Sequence, residues 1–298
     1  MKVAIVGAVN YDRIVTYNKK EVQSFGGILY NTFYLARLLD QNSVVYPVTK
    51  IGKEDISAVK ELLKPFKNVD TSFITVNETG TNENLLVYTP EGERSEKLTM
   101  RIEPFCFKEI KPVIHSDMIL FNFITGFTIP LAVIRKTREN SDSTIYIDVH
   151  SKVLGIRGDG TRYGEGWDDW RDWFKFADIV QMNGEECRLI FGKKSLVEVG
   201  KTIASVGPHQ IIVTLREKGA FIYFVKNYSH YHRYVPTVPC RAVDTTGCGD
   251  CFTAGYIYGM FVYENPVEAV AFANKIAGKN CETLGLNLNP FKYKFKEK

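Results

Sequence analysis

The stretch Ala242-Val-Asp-Thr-Thr-Gly-Cys-Gly-Asp-Cys-Phe252 runs directly into an apolar segment, Thr253-Ala-Gly-Tyr-Ile-Tyr-Gly-Met-Phe-Val262. Gly247 and Gly249 therefore stand where a loop turns into a helix. Glycine takes φ > 0 and lets the backbone approach a ligand closely. The first amides of a helix lack internal partners and carry partial positive charge. Together they predict an anion pocket at Gly247, Cys248 and Gly249, suited to a phosphoryl group in transfer. Asp250 falls in the first helical turn beside that pocket, where a carboxylate can take the proton of an attacking hydroxyl. An acid that only complements the helix dipole is the plainer alternative. Gly255 and Gly259 lie one turn apart in the same helix. Each costs about 1 kcal/mol of helix propensity relative to Ala, which close packing against a neighbour or a nucleotide offsets.

Outward from this junction, apolar runs alternate with helical patterns along the whole chain. Val3–Val6, Val44–Val48, Met118–Phe123, Thr144–Asp148, Asp178–Gln181 and Ile211–Leu215 read as buried strands. Leu29–Leu39, Ser57–Leu63, Ile129–Arg138, Trp167–Phe174, Glu185–Phe191 and Leu196–Ser205 read as helices. The expected fold class is α/β: a doubly wound, mostly parallel central sheet with helices on both faces. The segments at about 12–17 and 71–100 read as strands without intervening helices, with a turn at Pro90–Gly92. They predict a small β appendage on a single domain spanning 1–298; a meander on the sheet edge is the alternative. Ser151–Gly166 reads as a loop turning at Asp159-Gly160. Trp167, Trp170 and Trp173 recur on one helix face and read as core.

The 298 residues carry 38 basic and 34 acidic side chains, a formal net charge of +4. So slight an excess argues against nucleic acid or a membrane surface as partner, and the basic run Lys292–Lys298 reads as a solvated tail. No run of 18 apolar residues is present, and the short N-terminal apolar run reads as a strand. Six scattered cysteines lack zinc-site spacing, and a cytoplasmic setting is expected. Cys248-Gly-Asp-Cys251 is a CxxC at a helix N-terminus, a setting that favours thiol reactivity. His230 and His232 read as a solvent-facing strand edge. The absence of GxxxxGK[ST] and of a strand–GxGxxG–helix unit weakens P-loop and dinucleotide readings.

Asp244-Thr-Thr-Gly-Cys-Gly-Asp250 resembles the C-terminal signature of the ribokinase, or phosphofructokinase-B, family, with Cys248 in place of its usual Ala. Further segments resemble that family in order and spacing. Gly7-Ala-Val-Asn-Tyr-Asp12 is similar to its Asn-x-Asp element, and Gly26-Gly-Ile-Leu-Tyr-Asn31 to its Gly-Gly-x-x-x-Asn element. Ile51-Gly-Lys-Glu-Asp55 is similar to its Gly-x-Asp turn. Met182-Asn-Gly-Glu-Glu186 resembles the Asn-x-x-Glu element, with Asn183 as a simple N-cap the alternative reading. Thr214-Leu-Arg-Glu-Lys-Gly219 resembles the Thr-x-Gly-x-x-Gly loop, with Arg216 where Gly is usual.

The resemblance implies an ATP-dependent kinase that phosphorylates a hydroxyl of a sugar or sugar derivative, with Asp250 as general base. It implies that Asn10, Asp12, Gly26, Gly27 and Asn31 bind the small-molecule substrate. Asn183, Glu186, Thr214, Arg216, Gly219, Thr246 and Asn274 would serve the nucleotide. Glu186 would hold Mg²⁺ indirectly, and Asp244 with the Thr246 carbonyl would hold a monovalent cation such as K⁺. The β appendage would be a lid over the acceptor and the seam of a homodimer. Positions that carry Lys and Glu in ribose-specific relatives are Ile28 and Ile124 here. Tyr11, Tyr30, Phe123 and Phe127 offer aromatic surface that either stacks on a nucleobase or packs in the core. A nucleoside kinase and a non-catalytic ligand-binding protein are therefore the alternatives.

Overall fold

The computed structural model describes residues 1–15, 19, 21–89 and 94–283. The turn expected at Pro90–Gly92, residues 16 and 17 of the first appendage segment and the Lys292–Lys298 tail lie outside these residues.

The chain opens with strands β1 (Lys2–Val6), β2 (Asn10–Val15) and β3 (Glu21–Phe25), followed by helix α1 (Ile28–Leu38), β4 (Val44–Gly52) and α2 (Ile56–Leu63). Strands β5 (Ile74–Asn77), β6 (Asn82–Tyr88) and β7 (Arg94–Met100) lead to α3 (Phe107–Ile110), β8 (Met118–Asn122), α4 (Leu131–Glu139) and β9 (Thr144–Asp148). A short antiparallel pair, β10 (Leu154–Ile156) and β11 (Arg162–Gly164), precedes α5 (Trp170–Phe174), β12 (Ile179–Asn183), α6 (Gly184–Phe191) and α7 (Leu196–Ala204). The C-terminal part holds β13 (Gln210–Thr214), β14 (Ala220–Lys226), β15 (Ser229–Val235), α8 (Cys248–Tyr263) and α9 (Pro266–Cys281).

Nine strands form one sheet in the order β15-β14-β13-β12-β9-β8-β1-β4-β5. Every neighbouring pair from β13 to β5 is parallel, and only β14 runs against the rest, pairing antiparallel with both β13 and β15. All five residues of β8 are buried, and β1, β9, β12 and β13 bury all but one end residue. Burial of consecutive residues, not alternate ones, means that both faces of the sheet are covered, as parallel βαβ crossovers require.

The second sheet has the order β3-β2-β6-β7, with β2 parallel to β6. Two expectations change here. The 71–77 part of the expected appendage instead supplies β5, which pairs with β4 at the edge of the large sheet, while β3 joins the small sheet. The expected 151–166 loop carries β10 and β11, joined through a turn in which the Gly160 amide bonds the Arg157 carbonyl at 2.9 Å.

The predicted core tryptophans are buried, although Trp167 precedes α5. The Lys152 ammonium lies 4.1 Å from the Trp173 ring centroid, and Trp167 and Phe123 rings flank it, which ties the segment after β9 to this cluster. Helix α8 packs on α9 where its glycines fall. A Cβ at Gly255 would stand 2.9 Å from the Ala273 Cα, and one at Gly259 would stand 2.7 Å from the Ala269 Cα. Helix–helix contact, not a ligand, accounts for both glycines.

Candidate active site

Because the parallel strands share one direction, their carboxyl ends fall along one edge of the sheet. Register places Asn122 at the end of β8 opposite Asp148 at the end of β9, and Asn183 at the end of β12 opposite Thr214 at the end of β13. Ligands of open α/β sheets bind at this edge. Helix α8 starts against it.

The turn into α8 is set by short-range bonds. The Thr246 amide donates to Asp244 Oδ1 at 2.9 Å and the Cys248 amide to the Thr245 carbonyl at 3.2 Å. Gly247 caps the helix with φ 72°, a left-handed conformation that costs other residues energy. A Cβ there would meet the Tyr30 ring at 2.4 Å, whereas a Cβ on Gly249 would meet nothing within 4 Å. The second glycine thus borders open space at a helix N-terminus, where an anion is favoured.

Asp250 is buried in the first turn. Its Oδ1 accepts from Asn122 Nδ2 at 2.7 Å, and its backbone carbonyl accepts from Asn31 Nδ2 at 2.9 Å. Asn122 also donates to Asn31 Oδ1 at 3.0 Å, so one asparagine on β8 and one on α1 fix the carboxylate. Behind it, Thr253 Oγ1 donates to Asp148 Oδ2 at 2.9 Å, and Gln181 Nε2 donates to Asp148 Oδ2 at 3.1 Å. Gln181 in turn accepts from the Tyr146 hydroxyl at 2.6 Å.

Burial, reinforced by the Asp148 charge, pushes Asp250 well above the usual carboxylate range, and the Asn122 bond partly opposes the rise. Burial pushes Asp148 up to about 7. Glu186 is raised by burial and then by the charges of Asp148 and Asp250. The Asp148 charge thus raises both Asp250 and Glu186, and carboxylates gathered in this way are suited to a cation that accompanies an anionic donor. Among the described residues no three metal-ligating side chains converge.

Glu186 is held firmly. Its Oε2 accepts from the Asn183 amide at 2.8 Å and its Oε1 from Asn183 Nδ2, while Asn183 Oδ1 accepts from the Glu185 and Glu186 amides. This is a capping box at the start of α6, so Asn183 does serve as an N-cap, and it presents Glu186 at the sheet edge. Arg216 adopts φ 55°, the conformation that explains why glycine suits this position. Its guanidinium pairs with Glu185 at 3.0 Å on the surface. Gly219, at φ 91°, and Asn274 converge on one place. A Cβ on Gly219 would meet the Val235 carbonyl at 2.2 Å, and Asn274 Nδ2 donates to that carbonyl at 3.0 Å. Asn274 therefore anchors the chain leaving β15 onto α9. Beside it lies a cavity of about 600 Å³ lined by Arg37, Val238, Cys240, Phe272 and Lys275. Asp244 and Thr246 sit together in the turn, and the Thr246 carbonyl accepts from Asn280 Nδ2 at 2.8 Å.

The remaining predicted residues line the small sheet's contact with the main sheet. Asn10 pairs with Asn82 across β2 and β6, Asn82 Nδ2 donating to Asn10 Oδ1 at 2.7 Å. Two residues on, Asn84 Nδ2 donates to Asp12 Oδ1 at 3.3 Å. All four side chains are buried. A Cβ on Gly26 would fall 2.7 Å from Asp12 Oδ2, and one on Gly27, at φ 65°, 2.3 Å from the Ala8 carbonyl. Buried Oδ1 atoms of Asn82 and Asn122 have no protein partner. Of the aromatic candidates, Tyr30 and Phe123 belong to the core, Tyr11 packs edge-on against Phe25, and Phe127 is partly exposed.

Asn82, Asn84, Asn122, Asp148 and Gln181 were not among the sequence-predicted site residues. Asn122 and Asp148 had a signal: each is a polar residue at the carboxyl end of an otherwise apolar strand. Asn82 and Asn84 alternate at the period of a strand face. Gln181 had none.

Residues 165–291 match the pfkB family carbohydrate kinase profile. A ribokinase of Lactococcus lactis is 21% identical over 283 residues, 87% of this chain and 83% of that one. A fructokinase of Klebsiella pneumoniae is 31% identical over 102 residues, which cover 34% of this chain and only 32% of that relative's length. A pyrophosphate-dependent kinase in the ribokinase family superposes with a TM-score of 0.80 over 96% of both chains at 18% identity, a likeness of fold. The chain thus has the ribokinase fold, and its residues 165–291 carry the match to the pfkB family carbohydrate kinase profile.

Proposed function

We propose that the chain transfers the γ-phosphoryl group of ATP to a hydroxyl of a sugar or sugar derivative, with Asp250 as general base. The observation that carries this reading is the placement of a buried carboxylate, fixed by Asn122, one residue beyond a glycine that borders open space at the N-terminus of α8. The acceptor hydroxyl lies between Asp250 and that space. Its proton passes to Asp250 Oδ2 as the oxygen bonds to phosphorus, and the amides of Gly247–Gly249 hold the transferring group's oxygens.

The acceptor's other hydroxyls meet Asn10, Asp12, Asn82 and Asn84. The unpartnered Oδ1 atoms of Asn82 and Asn122 support this, since a buried acceptor left unpaired costs about 1–3 kcal/mol that a ligand hydroxyl recovers. Glu186, held by Asn183, would retain a magnesium ion through water, and that ion would neutralise charge on the donor. Thr214, Arg216, Gly219 and Asn274 border the donor, and Asp244 with the Thr246 carbonyl would hold a monovalent cation. The small sheet acts as a lid that excludes water and forms the homodimer seam. The core positions of Tyr30 and Phe123 favour a sugar over a nucleoside, because they leave less aromatic surface for a base.

The test is phosphoryl transfer from ATP, and separately from pyrophosphate, to pentoses, hexoses, sugar acids, polyols and nucleosides. Turnover of a sugar or sugar derivative with ATP is expected. Turnover of nucleosides only, or of pyrophosphate only, would overturn the acceptor or the donor assignment respectively.

A further inference from the structure

A second cavity, of about 970 Å³, lies where the small sheet, the segment after β8 and the turn between β10 and β11 meet. Lys97, Leu98 and Arg101 line it from β7 and just beyond, Thr125 and Phe127 from the segment after β8, and Arg157 from the turn. Backbone joins these walls: the Leu98 amide donates to the Gly160 carbonyl at 2.9 Å, and Lys97 and Thr161 form an antiparallel bridge. The cavity adjoins the candidate active site on two sides. Thr125 follows the strand whose last residue, Asn122, holds Asp250. Leu98 is the register partner of Asn84, which bonds Asp12.

Positive charge gathers at Phe127. The Arg162 guanidinium lies 5.0 Å from that ring's centroid and the Arg101 guanidinium 5.9 Å. Arg162 Nη1 donates to the Thr125 carbonyl and Nη2 to the Ser151 carbonyl, both at 3.0 Å, which fixes the group between the segments leaving β8 and β9. Its Nε is buried and has no protein partner. Among the described residues neither guanidinium forms an ion pair. The acids on the cavity wall are Glu103 and Asp159, and Asp159 is taken by Lys97 at 3.7 Å. Burial and the Arg101 charge hold Arg162 below its usual range, against the pull of Glu96. Two like charges on one ring, one of them partly desolvated with a donor left over, are relieved by an anion. A carboxylate or a phosphate matches the guanidinium fork.

We infer that this cavity is an anion subsite for the acceptor: the sugar derivative carries a carboxylate or a phosphate ester, which Arg101 and Arg162 receive beside Phe127 while the reacting hydroxyl lies at Asp250. The inference rests on the acceptor placement proposed above and narrows its chemistry to anionic sugars. Arg101, exposed on the wall, supplies the fork, and Arg162 supplies a fixed charge and its free Nε–H. Asn84 and Asp12 bind hydroxyls between the two ends.

Binding to the full chain is read by titration calorimetry, which needs no turnover. Gluconate is set against glucitol, and fructose 6-phosphate against fructose, each pair alike apart from the anion. At least one charged probe should bind about 10- to 100-fold more tightly than its neutral counterpart, and the pair that responds tells carboxylate from phosphate. Added salt should narrow that advantage. Arg101→Met, at an exposed position, should leave the Tm in place and cut the advantage about tenfold. Equal affinities within both pairs, or an advantage untouched in Arg101→Met, would overturn the subsite. A charged probe that binds as expected but is not phosphorylated by ATP would overturn the transfer reaction and leave the subsite standing. Turnover of neutral sugars with no preference for either anion would do the reverse.

Discussion

Asn122 Nδ2 lies 2.7 Å from Asp250 Oδ1, joining the last residue of β8 to the first turn of α8 across 128 residues of sequence. The bond orients the carboxylate and favours its ionised form, against burial and the Asp148 charge. Hydrogen bonds to charged groups contribute about 1.5–3 kcal/mol. Asn122→Leu, of similar volume, should therefore lower kcat/KM about 10- to 100-fold at neutral pH. Because the lost bond lowered the Asp250 pKa, the acidic limb of the pH profile should move to higher pH. A profile of unchanged shape would show that the bond does not set the base.

Gly247 and Gly249 should respond differently to the same methyl group. Gly247→Ala demands a left-handed alanine and a contact of 2.4 Å with Tyr30, so it should destabilise the fold by several kcal/mol and lower the Tm. Gly249→Ala meets open space and gains helix propensity of up to about 1 kcal/mol. It should fold normally yet lose phosphoryl transfer by an order of magnitude or more, because its methyl occupies the proposed phosphoryl position. Urea unfolding and steady-state kinetics of the two variants check this; full activity in Gly249→Ala would move the anion site elsewhere.

Asp148 accepts from Gln181 and Thr253, and burial, only partly opposed by the Thr253 bond and a bond from the His150 backbone, raises it from 3.8 to about 7. The protonated form suits the fold. Its stabilising contribution is complete below about pH 4 and is lost as pH rises through about 7. A shift of this size corresponds to about 4 kcal/mol between the two limits. Unfolding free energies measured without donor or metal should fall more steeply from pH 5 to 8 in the native sequence than in Asp148→Asn. Parallel curves would assign the pH dependence to other groups.

The parallel sheet was legible because strands buried on both faces read as continuous apolar runs, and the turn into α8 because glycines and an acid fall together before an apolar helix. The β14–β15 hairpin was not. Its turn residues, Asn227 and Tyr228, take φ of 51° and 60° without a glycine to mark them, and β15 is polar and exposed for most of its length. The strand Ile74–Asn77 carried the right propensity but no sign of its partner; pairing with β4 is a property of topology. The same holds for Asn82 and Asn84. They face Asn10 and Asp12 only because β2 and β6 pair in register across 72 residues. Side chains that work in pairs from distant strands are not visible in a linear reading, whereas a glycine-flanked turn built from consecutive residues is.

The most direct measurement is the steady-state kinetics of Asp250→Asn with ATP and the best acceptor from the panel. Asparagine keeps the shape and can still bond Asn122, but it cannot take a proton. The account predicts a fall in kcat of about 10²-fold or more with KM little changed. A variant that retains near-native kcat would contradict the role given to this carboxylate.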